Sequence, residues 1–152
     1  MVNLVTIGEG EFTYEVAEHW ETLPEGYSWK EVAAVAVDDQ DRVYAFNRGN
    51  HPMVVFDRQG NFLTSWGEGI FKRAHGLTLA PDGNLFCTDD LDHTIRKCTL
   101  DGEVLMTIGQ PGKAAEPHSG HPFNRCTDVA VDQDSGDLYI SDGYANSSVH
   151  KY

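Results

Sequence analysis

The fold is decided by residues 35–67, which read VAVDDQDRVYAFNRGNHPMVVFDRQGNFLTSWG. The same pattern returns 42 residues later, without a gap, as LTLAPDGNLFCTDDLDHTIRKCTLDGEVLMTIG at residues 77–109. A third copy, VAVDQDSGDLYISDGYANSSVHKY, covers residues 129–152 and needs one extra residue in each of its first two turns. Self-similarity at a fixed period of this length is typical of repeat architectures, including propellers.

Each repeat consists of short apolar runs that alternate with polar residues and are separated by turns rich in Asp, Gly and Asn. Such turns supply the positive φ angles that tight turns of antiparallel meanders need. No stretch has sustained helical periodicity. We therefore predict an all-β protein, a β-propeller with four-stranded blades at 35–67 and 77–109 and an incomplete blade at 129–152 that lacks its last strand.

The number of blades leaves the ring open. Residues 4–8, LVTIG, resemble the end of a blade, LMTIG at 105–109, and we interpret them as a solitary outer strand that completes a blade. Propellers usually have four to eight blades, and an open stack exposes strand edges and apolar faces. Either the chain is therefore part of a longer polypeptide, or copies associate. Two copies would give six blades, so we expect a homo-oligomer, most simply a dimer.

Charge narrows the class of partner. With 11 Lys and Arg against 24 Asp and Glu, the net charge is −13. Nucleic acids and anionic membranes both attract clustered basic residues, so neither is expected as a partner. A small-molecule or peptide ligand fits better.

The cysteines and the first residues of the chain bear on the cellular compartment in which the protein is expected. Three cysteines form no CxxC motif and cannot all pair, so we expect free, buried thiols in a reducing environment. The first residues lack the basic and apolar regions of a signal peptide. These features favour a cytoplasmic protein, with a mature form of an exported one as the alternative.

Three short segments are narrower signals than the repeat itself: NRGNH at 47–51, AHGL at 74–77 and SDGY at 141–144. Together with the repeats they resemble NHL repeats and, more narrowly, the six-bladed propeller family of peptidyl-α-hydroxyglycine α-amidating lyase, which releases glyoxylate to leave a peptide amide. The resemblance covers the N-terminal half of such a protein. It implies a metal-dependent lyase that acts on a small hydroxy or carbonyl substrate. The alternative is a non-catalytic NHL propeller that binds a ligand or a protein.

The resemblance also implies roles for single residues. Arg48 would engage the substrate carboxylate or hydroxyl, and Tyr144 would be the general base. His75 would be the first of three zinc histidines, of which the other two lie in later blades of the family. The backbone carbonyls of Val35 and Leu77 would bind a structural calcium ion.

One family disulfide is not expected here. The resemblance places its cysteines, which the animal enzyme has, at the positions of Asn124 and Ala145. Neither residue is a cysteine.

Each candidate side chain has a structural alternative. His75 alone is not a zinc site, because catalytic zinc has three protein ligands, and it could instead be a hydrogen-bonded structural histidine. Arg48 could pair with one of the many acidic side chains, and Tyr144 could be a packed aromatic that caps a turn. His51 and His93 lie 42 residues apart, which indicates a role in the fold such as bonding a neighbouring turn.

The acidic segment TDDLDH at 88–93 lacks the spacing of an EF-hand. Turns of this kind are mostly solvated or bond their own backbone. We therefore expect a turn there and not a calcium site.

Overall fold

The computed structural model describes residues 5–119 and 121–152. Within these ranges the chain contains no helix, and therefore none that could cross a membrane. The strands in chain order are β1 Thr6–Glu9, β2 Phe12–Glu15, β3 Val32–Val37, β4 Val43–Asn47, β5 Met53–Phe56, β6 Phe62–Trp66, β7 Ala74–Leu79, β8 Leu85–Asp89, β9 Thr94–Cys98, β10 Val104–Gly109, β11 Asp128–Val131, β12 Leu138–Asp142 and β13 Ser148–Lys151.

After a two-stranded sheet of β1 and β2, three larger antiparallel sheets follow one another along the chain. The first sheet contains β3–β6 and the second contains β7–β10, each in sequence order, and the third contains β11–β13. Since every strand pairs with its neighbour in sequence, each sheet is a meander, as in a propeller blade. The predicted all-β fold with four-stranded blades is confirmed, and the ring is not closed by the described residues.

Turn glycines 42 residues apart explain part of the repeat. Gly60 and Gly102 lie in the turns before β6 and β10, with φ of 82° and 92°. A Cβ on Gly60 would lie 1.9 Å from the carbonyl oxygen of Trp20, and one on Gly102 would lie 2.6 Å from the Trp66 ring. Glycine is therefore needed at both positions for the backbone angle and for the close approach of a neighbouring segment.

The core lies between the sheets. One apolar cluster joins the first and second sheets and contains Tyr44, Phe46, Met53, Val55, Trp66, Ala74, Leu77, Leu85, Cys87 and Cys98. A second cluster joins the second and third sheets and contains Ala80, Phe86, Ile95, Phe123, Cys126, Val129 and Ile140. Each large side chain buried there stabilises the fold by about 1.5–3 kcal/mol relative to an exposed one. The three cysteines are free and buried.

The N-terminal segment differs from the solitary strand that the sequence suggested. In this chain β1 pairs with β2 in a hairpin, with Ile7 opposite Tyr14. Gly10, at a φ of 61°, lies in the two-residue turn between the strands. Residue 4 of the proposed strand lies outside the described residues. Among those described, β13 is paired with β12 alone, so β1 does not complete the third sheet within this chain.

Candidate functional site

Arg48, His75 and Tyr144 lie at one edge of the three sheets. Arg48 directly follows β4, His75 is the second residue of β7, and Tyr144 lies two residues after β12. In each antiparallel sheet the end of the second strand lies beside the start of the first, as in the pairing of Val32 with Asn47. We call this the strand-start edge: the edge at which β3, β7 and β11 begin. The fold therefore brings together side chains from three sheets.

His75 is hydrogen-bonded through both ring nitrogens. Its Nδ1 lies 2.8 Å from the carbonyl oxygen of Thr127, and its Nε2 lies 3.0 Å from the hydroxyl of Tyr144. A carbonyl only accepts, so Nδ1 carries the proton and donates it to this bond. Nε2 of the neutral ring is then an acceptor, and the Tyr144 phenol donates to it. The two rings meet edge to face, with centroids 5.5 Å apart.

Gly76 makes this contact between sheets possible. A Cβ on Gly76 would lie 2.5 Å from the carbonyl oxygen of Thr127 and 2.9 Å from the Cα of Asp128. Any side chain would therefore push β7 away from the start of β11. The glycine of the AHGL segment allows His75 to reach the Thr127 carbonyl.

Arg48 is anchored to the backbone next to His75. Its Nε donates to the carbonyl oxygen of Ala74 at 2.9 Å, and its Nη1 donates to Glu31 at 3.2 Å. The expected acidic partner is therefore present, and the guanidinium is held in one orientation. Its Nη2 makes no hydrogen bond to any described residue, and the side chain is 17% exposed.

The side chain of Tyr144 is not a packed cap, because 53% of the residue is exposed. The guanidinium of Arg125 lies over its ring, with Cζ 4.3 Å from the centroid. Arg125 in turn donates to Oδ2 of Asp90 through Nε at 3.2 Å and Nη2 at 2.7 Å. Sequence reasoning selected neither Arg125 nor Asp90 for the site, although Asp90 lies in the acidic segment 88–93.

The acidic turn that contains Asp90 is buried and not solvated. The carboxylate of Asp89 accepts hydrogen bonds from backbone amides, including those of Asp92 at 2.8 Å and Arg73 at 3.1 Å. Burial raises the pKa of Asp89. Asp92 pairs with Arg96 at 2.5 Å and with a lysine. Burial alone would raise the pKa of Asp92, but its cationic partners lower it. Of the two alternatives expected for this turn, bonds to its own backbone are the one observed. Asp90 and Asp92 are in addition paired with Arg and Lys side chains.

His51 and His93 bond neighbouring turns, as their spacing indicated. Nδ1 of His51 lies 2.9 Å from Glu68, and the ring stacks on Tyr27. Nδ1 of His93 accepts the backbone amide of Arg125 at 3.1 Å.

The metal candidates fit only in part. No group of three or more His, Cys, Asp and Glu side chains that could hold a metal occurs in residues 5–119 and 121–152. His75 suits a single zinc ligand, because metal-binding histidines usually donate their other N–H to a carbonyl or carboxylate. One ligand does not make a zinc site. Val35 pairs with Ala45 in β3 and Leu77 with Cys87 in β7, equivalent positions of adjacent sheets, and calcium binding by their carbonyls stays a prediction.

A cavity of about 640 Å³ lies toward the opposite edge of the sheets. Its lining includes Asp38, Thr78, Pro81, Val129 and Gln133. None of the candidate residues reaches it. Convergent polar groups that could carry chemistry occur at the strand-start edge, so we place the candidate site there.

Comparison with known sequences gives partial relatives. An NHL repeat model matches residues 123–152. Peptidyl-alpha-hydroxyglycine alpha-amidating lyase 1 of Drosophila melanogaster is 38% identical over 96 residues, which cover 61% of this chain and 17% of the relative. Lyase 2 of the same organism is 30% identical over 166 residues, covering 90% of this chain and 39% of the relative. The chain thus spans well under half of either protein.

Solved structures agree on the fold. The WD40 β-propeller domain of Doa1 superimposes with a TM-score of 0.61 at 17% identity, over 83% of this chain and 37% of that one. Virginiamycin B lyase from Staphylococcus aureus gives 0.58 at 14% identity, over 80% and 40%. The chain is therefore a partial β-propeller with an NHL repeat, and its resemblance to amidating lyases is confirmed over part of their length. The expected cytoplasmic location stays a prediction.

Proposed function

We propose that this chain forms part of a lyase that cleaves peptidyl-α-hydroxyglycine, with Tyr144 as the general base and His75 as its partner. The observation that carries the proposal is the 3.0 Å contact between the Tyr144 hydroxyl and Nε2 of His75, because it gives the phenol an acceptor for its proton. The relatives that bear the amidating-lyase name support the reaction class.

The proton route balances without any added reagent. The phenol of Tyr144 passes its proton to Nε2 of His75, and the phenolate takes the proton of the substrate hydroxyl. The carbonyl of glyoxylate forms as the carbon–nitrogen bond breaks, and the imidazolium returns its proton to the departing amide nitrogen. A base oriented by a second group and held by a third, here the Thr127 carbonyl, is the usual logic of such sites.

Arg48 is proposed to bind the substrate carboxylate. Its planar group suits a carboxylate, and its bonds to Ala74 and Glu31 fix it beside His75. A fixed guanidinium would hold the hydroxyl-bearing carbon in one place relative to Tyr144, which lowers the entropic part of the barrier.

Zinc and calcium remain proposals with limited roles. His75 would supply one zinc ligand through Nε2, since Nδ1 is bonded to the Thr127 carbonyl. Nε2 is also the nitrogen that accepts the Tyr144 proton in the route above, so zinc binding there is an alternative to the proton-acceptor role and not an addition to it. The Val35 and Leu77 carbonyls would serve a structural calcium ion. No step of the proton route depends on either ion.

The test is glyoxylate release from a peptide that ends in α-hydroxyglycine, corrected for spontaneous breakdown. Tyr144→Phe and His75→Ala should each lower the rate by about 100-fold or more, the usual loss for a general base. Tyr14→Phe is the matched control, because Tyr14 is an exposed tyrosine in the β1–β2 hairpin, and it should keep the wild-type rate. Absence of turnover by the wild-type chain at high concentration would refute the proposal for this chain. Zinc bound stoichiometrically and lost in His75→Ala would support the ligand role in place of the proton-acceptor role of His75.

A non-catalytic NHL module is the second candidate. The NHL match at 123–152 favours it, as does the lack of a full set of zinc ligands within residues 5–119 and 121–152. Calorimetry distinguishes the two functions, since binding of the α-hydroxyglycine peptide without release of glyoxylate would support a binding module.

We also propose that the chain assembles with a second copy. Val35 is 62% exposed, whereas its repeat equivalents Leu77 and Val129 are 8% and 3% exposed. In the second and third sheets this position is covered by the preceding sheet. At β3 the first sheet therefore presents an exposed apolar strip that fits another blade. Trp20, Leu23, Tyr27 and Trp29 already cover the same face at β4 and β5.

The third sheet presents the opposite kind of face. Tyr139 is 39% exposed, whereas its equivalents Tyr44 and Phe86 are 1% and 3% exposed because a following sheet covers them. The two faces are complementary in the repeat, so two copies could close a ring of six blades through two such contacts. Further blades of a longer polypeptide are the alternative.

Light scattering at micromolar concentration tests the assembly. We expect twice the chain mass of 16.9 kDa, and a monomer for Val35→Asp and for Tyr139→Asp. Leu63→Asp is the control, since Leu63 is also exposed but lies in the outermost strand β6. A strictly monomeric wild-type chain would refute self-association.

A further inference from the structure

Arg125 is fixed in place independently of Tyr144. Its backbone amide donates to Nδ1 of His93, and its φ of 69° is a left-handed value that a residue other than glycine rarely adopts. Its Nε and Nη2 both donate to Oδ2 of Asp90. The guanidinium therefore has a set orientation before any contact with the tyrosine ring is counted.

Asp90 is a strong anchor because it is fully buried. Its Oδ2 also lies 3.4 Å from Nη1 of Arg73, whereas its Oδ1 has no hydrogen-bond partner among the described residues. A buried carboxylate that lost its cationic partners would be strongly destabilised. Arg125 therefore stays on Asp90, and the pair joins the end of β8 to the loop before β11.

Tyr144 has few other restraints. It follows Gly143 in a turn, half of it is exposed, and its ring contacts described above are with His75 and Arg125. Attraction between a guanidinium and the face of an aromatic ring favours the stacked position. With Arg125 over its face, the ring directs its hydroxyl to Nε2 of His75.

We propose that Arg125, clamped by Asp90, is a positioning residue that holds the Tyr144 ring so that the phenol stays on His75. Arg125 acts through Tyr144 and not on the reacting atoms. The proposal deepens the proposed lyase function and rests on it only where turnover is measured, because the orientation of the ring can be observed without a substrate.

The test compares Arg125→Ala, Arg125→Lys and Arg73→Ala by aromatic ¹³C–¹H NMR. The Tyr144 ring signal is assigned by its loss in Tyr144→Phe. In Arg125→Ala we expect this signal to move toward random-coil positions, and in Arg125→Lys to move part of the way, because lysine keeps the charge but loses the planar group. Arg73→Ala is the matched control, since Arg73 shares Asp90 but does not stack on Tyr144, and its signal should stay at the wild-type position.

Turnover gives a second readout, because a merely structural role would not lower kcat while leaving KM unchanged. We expect kcat to fall about tenfold or more in Arg125→Ala with KM within about twofold, as for loss of an interaction that matters in the transition state. If Arg125→Ala does not fold, the double variant Arg125→Met/Asp90→Asn removes both charges and keeps the shape. An unchanged Tyr144 signal in the folded variant would overturn the proposal. An inactive wild-type chain would refute the lyase function, while the ring signal would still decide the role of Arg125.

Discussion

Replacement of Gly76 by alanine would test whether the candidate site depends on the close approach of β7 to the third sheet. The added Cβ would lie 2.5 Å from the carbonyl oxygen of Thr127, 2.5 Å from Oδ1 of Asp128 and 2.9 Å from its Cα. Carbon atoms in contact normally lie about 3.5–4.0 Å apart. Two of these atoms belong to the backbone, so the strands would have to separate.

The expected cost follows from three effects. Overpacking costs about 1–3 kcal/mol, and loss of the His75–Thr127 hydrogen bond costs about 0.5–1.5 kcal/mol. Replacing glycine by alanine also restricts the unfolded chain, which returns about 0.4–1 kcal/mol. Gly76 does not have a left-handed φ, so no backbone strain is added. The free energy of unfolding should fall by about 0.5–4 kcal/mol.

Gly143→Ala is the matched control. Like Gly76, Gly143 does not have a left-handed φ, so alanine there adds no backbone strain. A Cβ on Gly143 would lie 3.8 Å from the Thr127 side chain, an ordinary van der Waals contact. Its stability should be unchanged or higher by up to about 1 kcal/mol. Urea unfolding with linear extrapolation measures both variants. A stability of Gly76→Ala within about 0.5 kcal/mol of Gly143→Ala would refute the reasoning, because differences of that size are usual for neutral substitutions.

Three further predictions concern titratable groups. Burial alone would raise the pKa of Asp38, but hydrogen bonds from Arg42 and nearby amides lower it below 3.8. Asp38→Asn should therefore lower the free energy of unfolding by about 1–2 kcal/mol at pH 7. In urea unfolding, the difference from wild type should shrink as the pH falls from about 4 through the folded pKa of Asp38. A difference at pH 3 equal to that at pH 7 would contradict this. Burial raises the pKa of the Cys87 and Cys126 thiols, so a thiol reagent should react slowly until urea is added, and a fast native reaction of either would argue against their burial. Burial also raises the pKa of Tyr44 to about 12. In an absorbance titration, Tyr44→Phe should therefore remove the signal of the last tyrosine to ionise. If the substitution removed signal near pH 10 instead, the prediction would be wrong.

The repeat predicted the sheets because strand, turn and strand recur at one spacing, and turn positions such as Gly60 and Gly102 report local backbone angles. The hairpin of β1 and β2 was missed. Its apolar residues, including Ile7 and Tyr14, alternate over only a few positions and contact no other sheet. A segment of that length is ambiguous when neither repetition nor burial constrains it.

The site was predictable in its residues but not in its contacts. Arg48, His75 and Tyr144 stood out through short motifs, and the meander places them at one edge. The bond between His75 and Tyr144 joins residues 69 positions apart, which no local pattern encodes. Asp90 was not predicted as part of the site, because its partner Arg125 lies 35 positions away, in the loop before β11.

The same edge is built by one repeated device. Asn47, Asp89 and Asp142 end the second strand of each sheet, at equivalent positions, and all three are buried. Each accepts backbone amides from the segment that enters its own sheet, at residues 30–31, 72–73 and 124 respectively.

Because a buried amide that lost its acceptor would be costly, these three side chains fix where each first strand begins. Arg48 follows Asn47 on the chain, and Asp90 follows Asp89. Asp142 is followed by Gly143 and then by Tyr144. Asn47, Asp89 and Asp142, which we call the polar caps of the blades, thus place the candidate residues. The apolar clusters between the sheets supply most of the stability. A substitution at the caps should therefore disturb the site geometry more than its effect on packing suggests.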